Sequence, residues 1–224
     1  MPPEFMKAYS AELVRQGFTP EQVETRMREL PKLFAGHPRE FMAANFRNIY
    51  RNHTDLFSQE PTALVLKAAQ LVKPGRALDA AMGQGRNAIA LARLGWQVTG
   101  YDLSDDGLEI ARAAAARQGL AIDAVAATHQ DFDFGTERWD LIVLAYSLAN
   151  LSDAAFVTKL TEALAPGGLI VVEQLNSGSE AKGPANALFN SFARLRVIHY
   201  EDAVNQAEWP RKPARVGRLI AQKD

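Results

Sequence analysis

The segment Arg76–Ala88 constrains the fold more than any other part of the chain. Arg76-Ala77-Leu78-Asp79 reads as a short buried strand, Gly83 and Gly85 turn it, and a helix opens at about Asn87. A strand that turns on glycines straight into a helix begins a βαβ unit. The rest of the chain repeats the alternation. Strands are expected at 97–101, 121–126, 139–145 and 169–174, with helices over about 61–72, 87–94, 106–118 and 153–164. Gly95, Gly119 and Pro166-Gly167-Gly168 mark the stops between them. Near-continuous apolar strands separated by helices imply a parallel sheet covered on both faces. The last two strands, 195–200 and 215–222, have no long helix between them. They read as a hairpin-like pair closing the sheet, with at least one antiparallel strand.

Ahead of this body, residues from about 4 to 56 read as helical. Phe5, Tyr9, Leu13 and Val14 keep helical spacing before Gly17. Thr19-Pro20-Glu21-Gln22 fits a capping box with proline at the first helical position, and that helix is expected to end by Pro31. Phe41, Met42, Phe46, Ile49 and Tyr50 form a third apolar stripe. Residues 1–57 are thus expected to be a helical cap within the same domain as the body, 58–224. The segment 40–57 is expected to fold over the strand-end cleft as a lid, with Tyr50 and His53 facing the space for a reacting molecule.

Composition narrows the class. At 224 residues and 47% hydrophobic the chain can bury a full core, which excludes a disordered chain. It has no cysteine, hence no disulfide framework, thiolate metal site or thiol nucleophile. The longest apolar runs, such as Leu141–Ala145, fall far short of the roughly 18 residues of a membrane span. Lys and Arg number 25 against 26 Asp and Glu, a net charge of −1, without the basic excess of a general nucleic-acid binder. The opening residues carry an early acid and no apolar signal-peptide core. These features point to a cytoplasmic protein acting on a small molecule, with neither a nucleic acid nor a membrane as partner.

Two acids frame the glycine turn. Asp79 ends the strand before it, and Asp102 ends the next strand, where nucleotide-binding α/β folds hold a ribose diol. Gly83-Gln84-Gly85-Arg86-Asn87-Ala88 also satisfies the G-x-G-x-x-A dinucleotide fingerprint. An acid at Asp79 would repel a pyrophosphate, however, and attract a ligand bearing an ammonium or sulfonium group. The chain also lacks a second mononucleotide half. Each aspartate alone reads equally well as a helix cap or turn residue.

From Asp79 to Gly85 the chain resembles the class I S-adenosylmethionine-dependent methyltransferases. Their first motif, Asp-x-Gly-x-Gly-x-Gly, is present here with Ala81 at the first glycine. The following Gly-x-Gly-Arg-Asn is similar to the small-molecule branch that includes the tellurite- and thiopurine-type enzymes. The resemblance extends over about residues 60–224, through Asp102, Asp131-Phe132, the strand 139–145 and Pro166-Gly167-Gly168. It implies a doubly wound α/β fold: a mostly parallel seven-stranded sheet with an antiparallel C-terminal strand. It also implies S-adenosylmethionine as cofactor, S-adenosylhomocysteine as product, and a small-molecule acceptor methylated by direct displacement. Carried over residue by residue, the cofactor contacts fall on Asp79, Ala81, Gly83, Gly85, Arg86, Asn87, Asp102, Leu103, Asp131, Phe132 and Ala145. Asp102 would take the ribose hydroxyls and Asp131 the adenine amino group. The alternatives are an NAD-dependent oxidoreductase and a non-catalytic S-adenosylmethionine-binding module.

Displacement on a sulfonium needs alignment more than acid–base help, so catalytic residues are weakly written. Tyr146, Tyr50 and His53 are the candidates, with Asn150 beside them; a histidine titrating near neutral pH would suit a base. His199 lies in a predicted strand and reads as structural. No His/Asp/Glu cluster has metal-ligand spacing, so no metal is expected. Ala145-Tyr146-Ser147-Leu148 lacks the Asn/Asp-Pro-Pro-aromatic motif of enzymes that methylate base amines.

Overall fold

The computed structural model describes residues 3–36, 38–52, 58–176, 186–208 and 213–224. It divides into two compact units, Met1–Phe46 and Arg47–Asp224. The C-terminal end of the third helix therefore belongs to the second unit, short of the boundary at 57 read from the sequence.

The first unit holds α1 (Pro3–Arg15), α2 (Pro20–Gly36) and the start of α3 (Pro38–Asn52). The capping box forms reciprocally. Thr19 N donates to Gln22 Oε1 at 2.9 Å, and Gln22 N donates to Thr19 Oγ1 at 3.3 Å. Helix α2 does not end at Pro31 but runs through it to Gly36. Pro31 is exposed, so water can take up the Met27 carbonyl that the missing N–H releases. Leu13, Val23 and Leu30 are buried, whereas Val14 of the expected stripe is 60% exposed.

The second unit is built on seven strands: β1 (Arg76–Ala80), β2 (Gln97–Asp102), β3 (Asp123–Ala126), β4 (Trp139–Ala145), β5 (Leu164–Leu175), β6 (Arg196–Gln206) and β7 (Pro213–Gln222). Their order in the sheet is β3-β2-β1-β4-β5-β7-β6. Strands β1 to β5 pair in parallel, and β7 runs antiparallel to both β5 and β6. The expected hairpin is present and longer than the sequence suggested.

Helices α4 (Ala63–Ala69), α5 (Arg86–Arg93), α6 (Asp105–Ala116), α7 (Ala154–Ala163) and the short α8 (Ala187–Ser191) connect the strands. Two apolar clusters cover the sheet. One packs Leu78, Tyr101, Trp139, Ile142, Leu160 and Phe192 together; the other joins Val65, Leu91, Val98, Leu108, Leu141 and Val171. Ile142 and Leu141 alternate between the two, as the period of a strand requires. The strand order reverses between β1 and β4, which opens a crevice at their C-terminal ends.

Candidate active site

The turn after β1 is held from below by carboxylates. Asp79, 2% exposed, accepts a hydrogen bond from Ala88 N at 3.0 Å and so caps the first turn of α5. Burial pushes its pKa up to about 7, against the lowering influence of that N–H and of Arg86. Asp102, at the end of β2, accepts from Gly83 N and from Ser104 N, each at 2.9 Å. Burial raises its pKa as well, opposed by the N–H groups of Ser104 and Gly83 and by His129.

The two glycines serve different ends. Gly83 sits at φ +54, and a methyl group there would come within 2.5 Å of Tyr50 Oη. Gly85 sits at φ +78, and a methyl there would meet Ala111 Cβ of α6 at 2.8 Å. One glycine admits the Tyr50 hydroxyl over the turn, while the other lets α6 approach α5. Ala81, where the family motif has glycine, also has a positive φ of +54, outside the usual range of alanine.

Arg86 and Asn87 bind the protein itself. Arg86 Nη1 donates to the Glu60 carbonyl at 2.9 Å and pairs with Glu208 Oε2 at 2.8 Å. Asn87 Oδ1 accepts from Thr62 N at 2.9 Å, fixing the start of α4. Leu103, next to Asp102, is half-buried. Asp131 is exposed and accepts from Thr128 Oγ1 at 2.6 Å, and Phe132 stacks on Tyr101 with centroids 4.3 Å apart. Ala145 ends β4 opposite Glu173 of β5.

The candidate catalytic residues fall in three places. Tyr50 is 6% exposed, over Gly83 and beside Gly107. Burial and the nearby Asp102 push its phenol far up. Its position is on the glycine turn and not in the cavity beyond β4. His53 lies outside the described residues, as does Phe57.

Tyr146 follows β4 with φ +54. Its hydroxyl donates to Glu173 Oε1 at 2.8 Å and accepts from Glu208 N at 3.1 Å. Glu173, 1% exposed, is held by Arg218 at 3.1 Å. Burial and Glu173 push the Tyr146 phenol up, so it keeps its proton at neutral pH and acts as a donor rather than a base.

Beyond β4 and β5 lies a cavity of about 370 Å³, lined by residues including Tyr146, Ser147, Asn150, Gln174, Leu188 and Ser191. The sequence did not point to α8 or to Gln174 as part of it. No local pattern marks them: Gln174 reaches the cavity through the pairing of β4 with β5, and α8 through Ser191, whose hydroxyl donates to the Leu151 carbonyl at 2.8 Å. His129 was missed too; its one signal was closeness to Asp131.

Comparison with known proteins agrees with this geometry. Residues 77–168 match the methyltransferase domain family. The ubiquinone biosynthesis O-methyltransferase of Chelativorans sp. (strain BNC1) is 34% identical over 120 residues, covering 53% of this chain and 47% of that protein. The chain thus spans about half the length of that curated relative. Among solved structures, TehB from Haemophilus influenzae superposes with a TM-score of 0.64 at 18% identity, over 80% of this chain and 67% of that one. The Burkholderia thailandensis 1,6-didemethyltoxoflavin-N1-methyltransferase, solved with S-adenosylhomocysteine, gives 0.63 at 18%, over 86% and 90%. Residues 77–168 thus match a methyltransferase domain, and the chain shares the fold of TehB and of the 1,6-didemethyltoxoflavin-N1-methyltransferase.

Proposed function

We propose that the protein transfers a methyl group from S-adenosylmethionine to a small organic acceptor seated in the cavity beyond β4. The observation that carries this reading is one of place. The glycine turn with its buried acids and the cavity lie side by side at the C-terminal ends of β1, β2, β4 and β5.

The residues fit the cofactor. Asp79 under the turn suits a neighbouring ammonium, and Asp102 at the end of β2 suits a diol. When bound, the cofactor supplies an electrophilic methyl group on a sulfonium. Leu103, Asp131, Phe132 and Ala145 stand around the same strand ends and complete its surroundings. Arg86 and Asn87 act one step back by fixing α5 against residues 60–62 and Glu208. Tyr50 closes over the turn and excludes water from it, which favours displacement at a charged centre.

The cavity also narrows the acceptor class. Tyr146, the titratable residue described in its lining, holds its proton and so offers no base. The acceptor is therefore nucleophilic as it arrives: an amine with a free lone pair, or a phenol or enol that ionises near neutrality. An ordinary phenol, titrating near about 10, is a poor acceptor.

Methyl transfer measured with nitrophenols against unsubstituted phenol tests this. The acidic phenols are expected to react, with a pH profile that follows each acceptor's own titration. Ala149→Phe, which fills the cavity, should abolish transfer and leave S-adenosylhomocysteine affinity within about threefold. Transfer undiminished in Ala149→Phe would place the acceptor elsewhere.

A further inference from the structure

The wall of the cavity has an unusual backbone. Tyr146 and Leu148, neither of them glycine, both take positive φ, +54 and +57. A left-handed backbone is strained for a residue that carries a Cβ, so the segment keeps its shape only where neighbours hold it. One side is held by Glu173, whose carbonyl accepts from Tyr146 N at 2.7 Å and whose carboxylate accepts from the Tyr146 hydroxyl. The other side is held at Ser147, between the two strained residues. There His129 Nε2 lies 2.8 Å from the Ser147 carbonyl, and His129 Nδ1 lies 2.6 Å from Tyr101 Oη.

A carbonyl can only accept, so Nε2 carries the proton and Nδ1 accepts from the Tyr101 hydroxyl. The neutral imidazole thus bridges β2 to the segment after β4. Phe156 of α7 packs on its ring, with centroids 5.5 Å apart.

We propose that His129 is a positioning residue for methyl transfer: it latches the Tyr146–Leu148 segment and so sets where the acceptor cavity stands relative to the ends of β2 and β4. The latch itself is a property of this chain's own contacts, while its role in the reaction rests on the acceptor reading above. Protonation would put a second N–H on Nδ1, which the Tyr101 hydroxyl can meet by accepting, and would keep the bond to Ser147; what opposes the charge is burial of the ring. The titratable groups around the ring are Tyr101 and Asp102 from β2 and Asp131 from its own loop, the last turned to Thr128. Burial holds the imidazole below its ordinary 6.5, so it is neutral at physiological pH. Its folded pKa is lowered, so its contribution is full above about 6.5 and declines as pH falls through and below that value.

Amide hydrogen exchange on the wild type, His129→Leu and His129→Gln tests the latch. The Tyr146 and Leu151 amides are the probes: Tyr146 N is bonded to the Glu173 carbonyl at the start of the segment, and Leu151 N to the Ala149 carbonyl just past its end. Leucine should lower their protection factors by about tenfold or more. Glutamine, which can donate to Ser147 and accept from Tyr101, should restore them to within about threefold. Wild-type protection should fall as pH drops below 6.5, and that trend should vanish in the glutamine variant. Wild-type protection in a folded leucine variant, or the same pH trend in the glutamine variant, overturns the proposal. If leucine prevents folding, the glutamine variant and its pH profile decide. Calorimetric titration of the wild type with S-adenosylhomocysteine runs in parallel. Failure there would refute the cofactor reading and leave the exchange readout intact.

Discussion

Asp79 and Asp102 hold the two ends of one short turn, Asp79 at Ala88 and Asp102 at Gly83. Asp79 is buried with its pKa near 7, an unfavourable place for a charge in the free protein. The sign of the consequence is fixed. A carboxyl whose folded pKa is raised loses stability as pH climbs from about 3.8 to about 7, and carries the full penalty above. Asp79→Asn should therefore raise Tm at pH 8 by about 2–4 °C, with the gain shrinking toward pH 4, as scanning calorimetry would show. On the proposed reading the ligand's ammonium lies beside Asp79 and favours its ionised form, so binding below pH 7 releases a proton. Affinity for S-adenosylhomocysteine should rise by up to about tenfold per pH unit up to 7 and then level off, and the asparagine variant should bind weakly with a flat profile. A wild-type affinity constant from pH 5.5 to 8 would separate Asp79 from the ligand. Both acids were legible in the sequence because each sits at a fixed offset from a strand end. The tasks of Arg86 and Asn87 were not, because their partners Thr62 and Glu208 are far along the chain and only folding brings them near.

Helix α5 meets α6 where Gly85 faces Ala111, so this glycine of the motif also has a packing reason. Glycines after β1 suggest close approach to a ligand, yet a Cβ on Gly85 would collide with a neighbouring helix. Gly85→Ala combines a left-handed backbone, costing about 1–2 kcal/mol, with overpacking of about 1–3 kcal/mol. For a domain of this size Tm should fall by roughly 5–15 °C without any ligand, measured by thermal unfolding. An unchanged Tm would show that α6 does not press on the turn. The strands and helices of the body were legible because burial on both faces writes apolar runs and glycine stops into the sequence. Pro31 misled because proline signals a helix end, although an exposed helix tolerates it where water replaces the lost bond. The cavity beyond β4 was legible only through Tyr146 and Asn150: its far wall is α8, a helix of 5 residues, and no periodicity announces the positive φ of Tyr146 and Leu148.

Across the whole molecule the sheet order β3-β2-β1-β4-β5-β7-β6 gathers the chemistry at one edge. Turn, acids and cavity all lie at the C-terminal ends of parallel strands, while β6 and β7 extend the sheet on the far side and return Arg218 to Glu173 and Glu208 to Arg86. Among the described residues no helix is long and apolar enough to cross a membrane. A ligand that binds only the folded state should stabilise the second unit as a whole, by about 2.7 kcal/mol at a hundred times its dissociation constant. The most direct test is a calorimetric titration with S-adenosylhomocysteine of the wild type and Asp102→Ala, with NADH as control. Micromolar one-to-one binding is expected for the wild type, weakened by about 1.5–3 kcal/mol in a folded alanine variant, with no heat from NADH. Equal affinity in the two proteins, or binding of NADH in place of S-adenosylhomocysteine, would contradict the assignment of this edge as a methyl-transfer site.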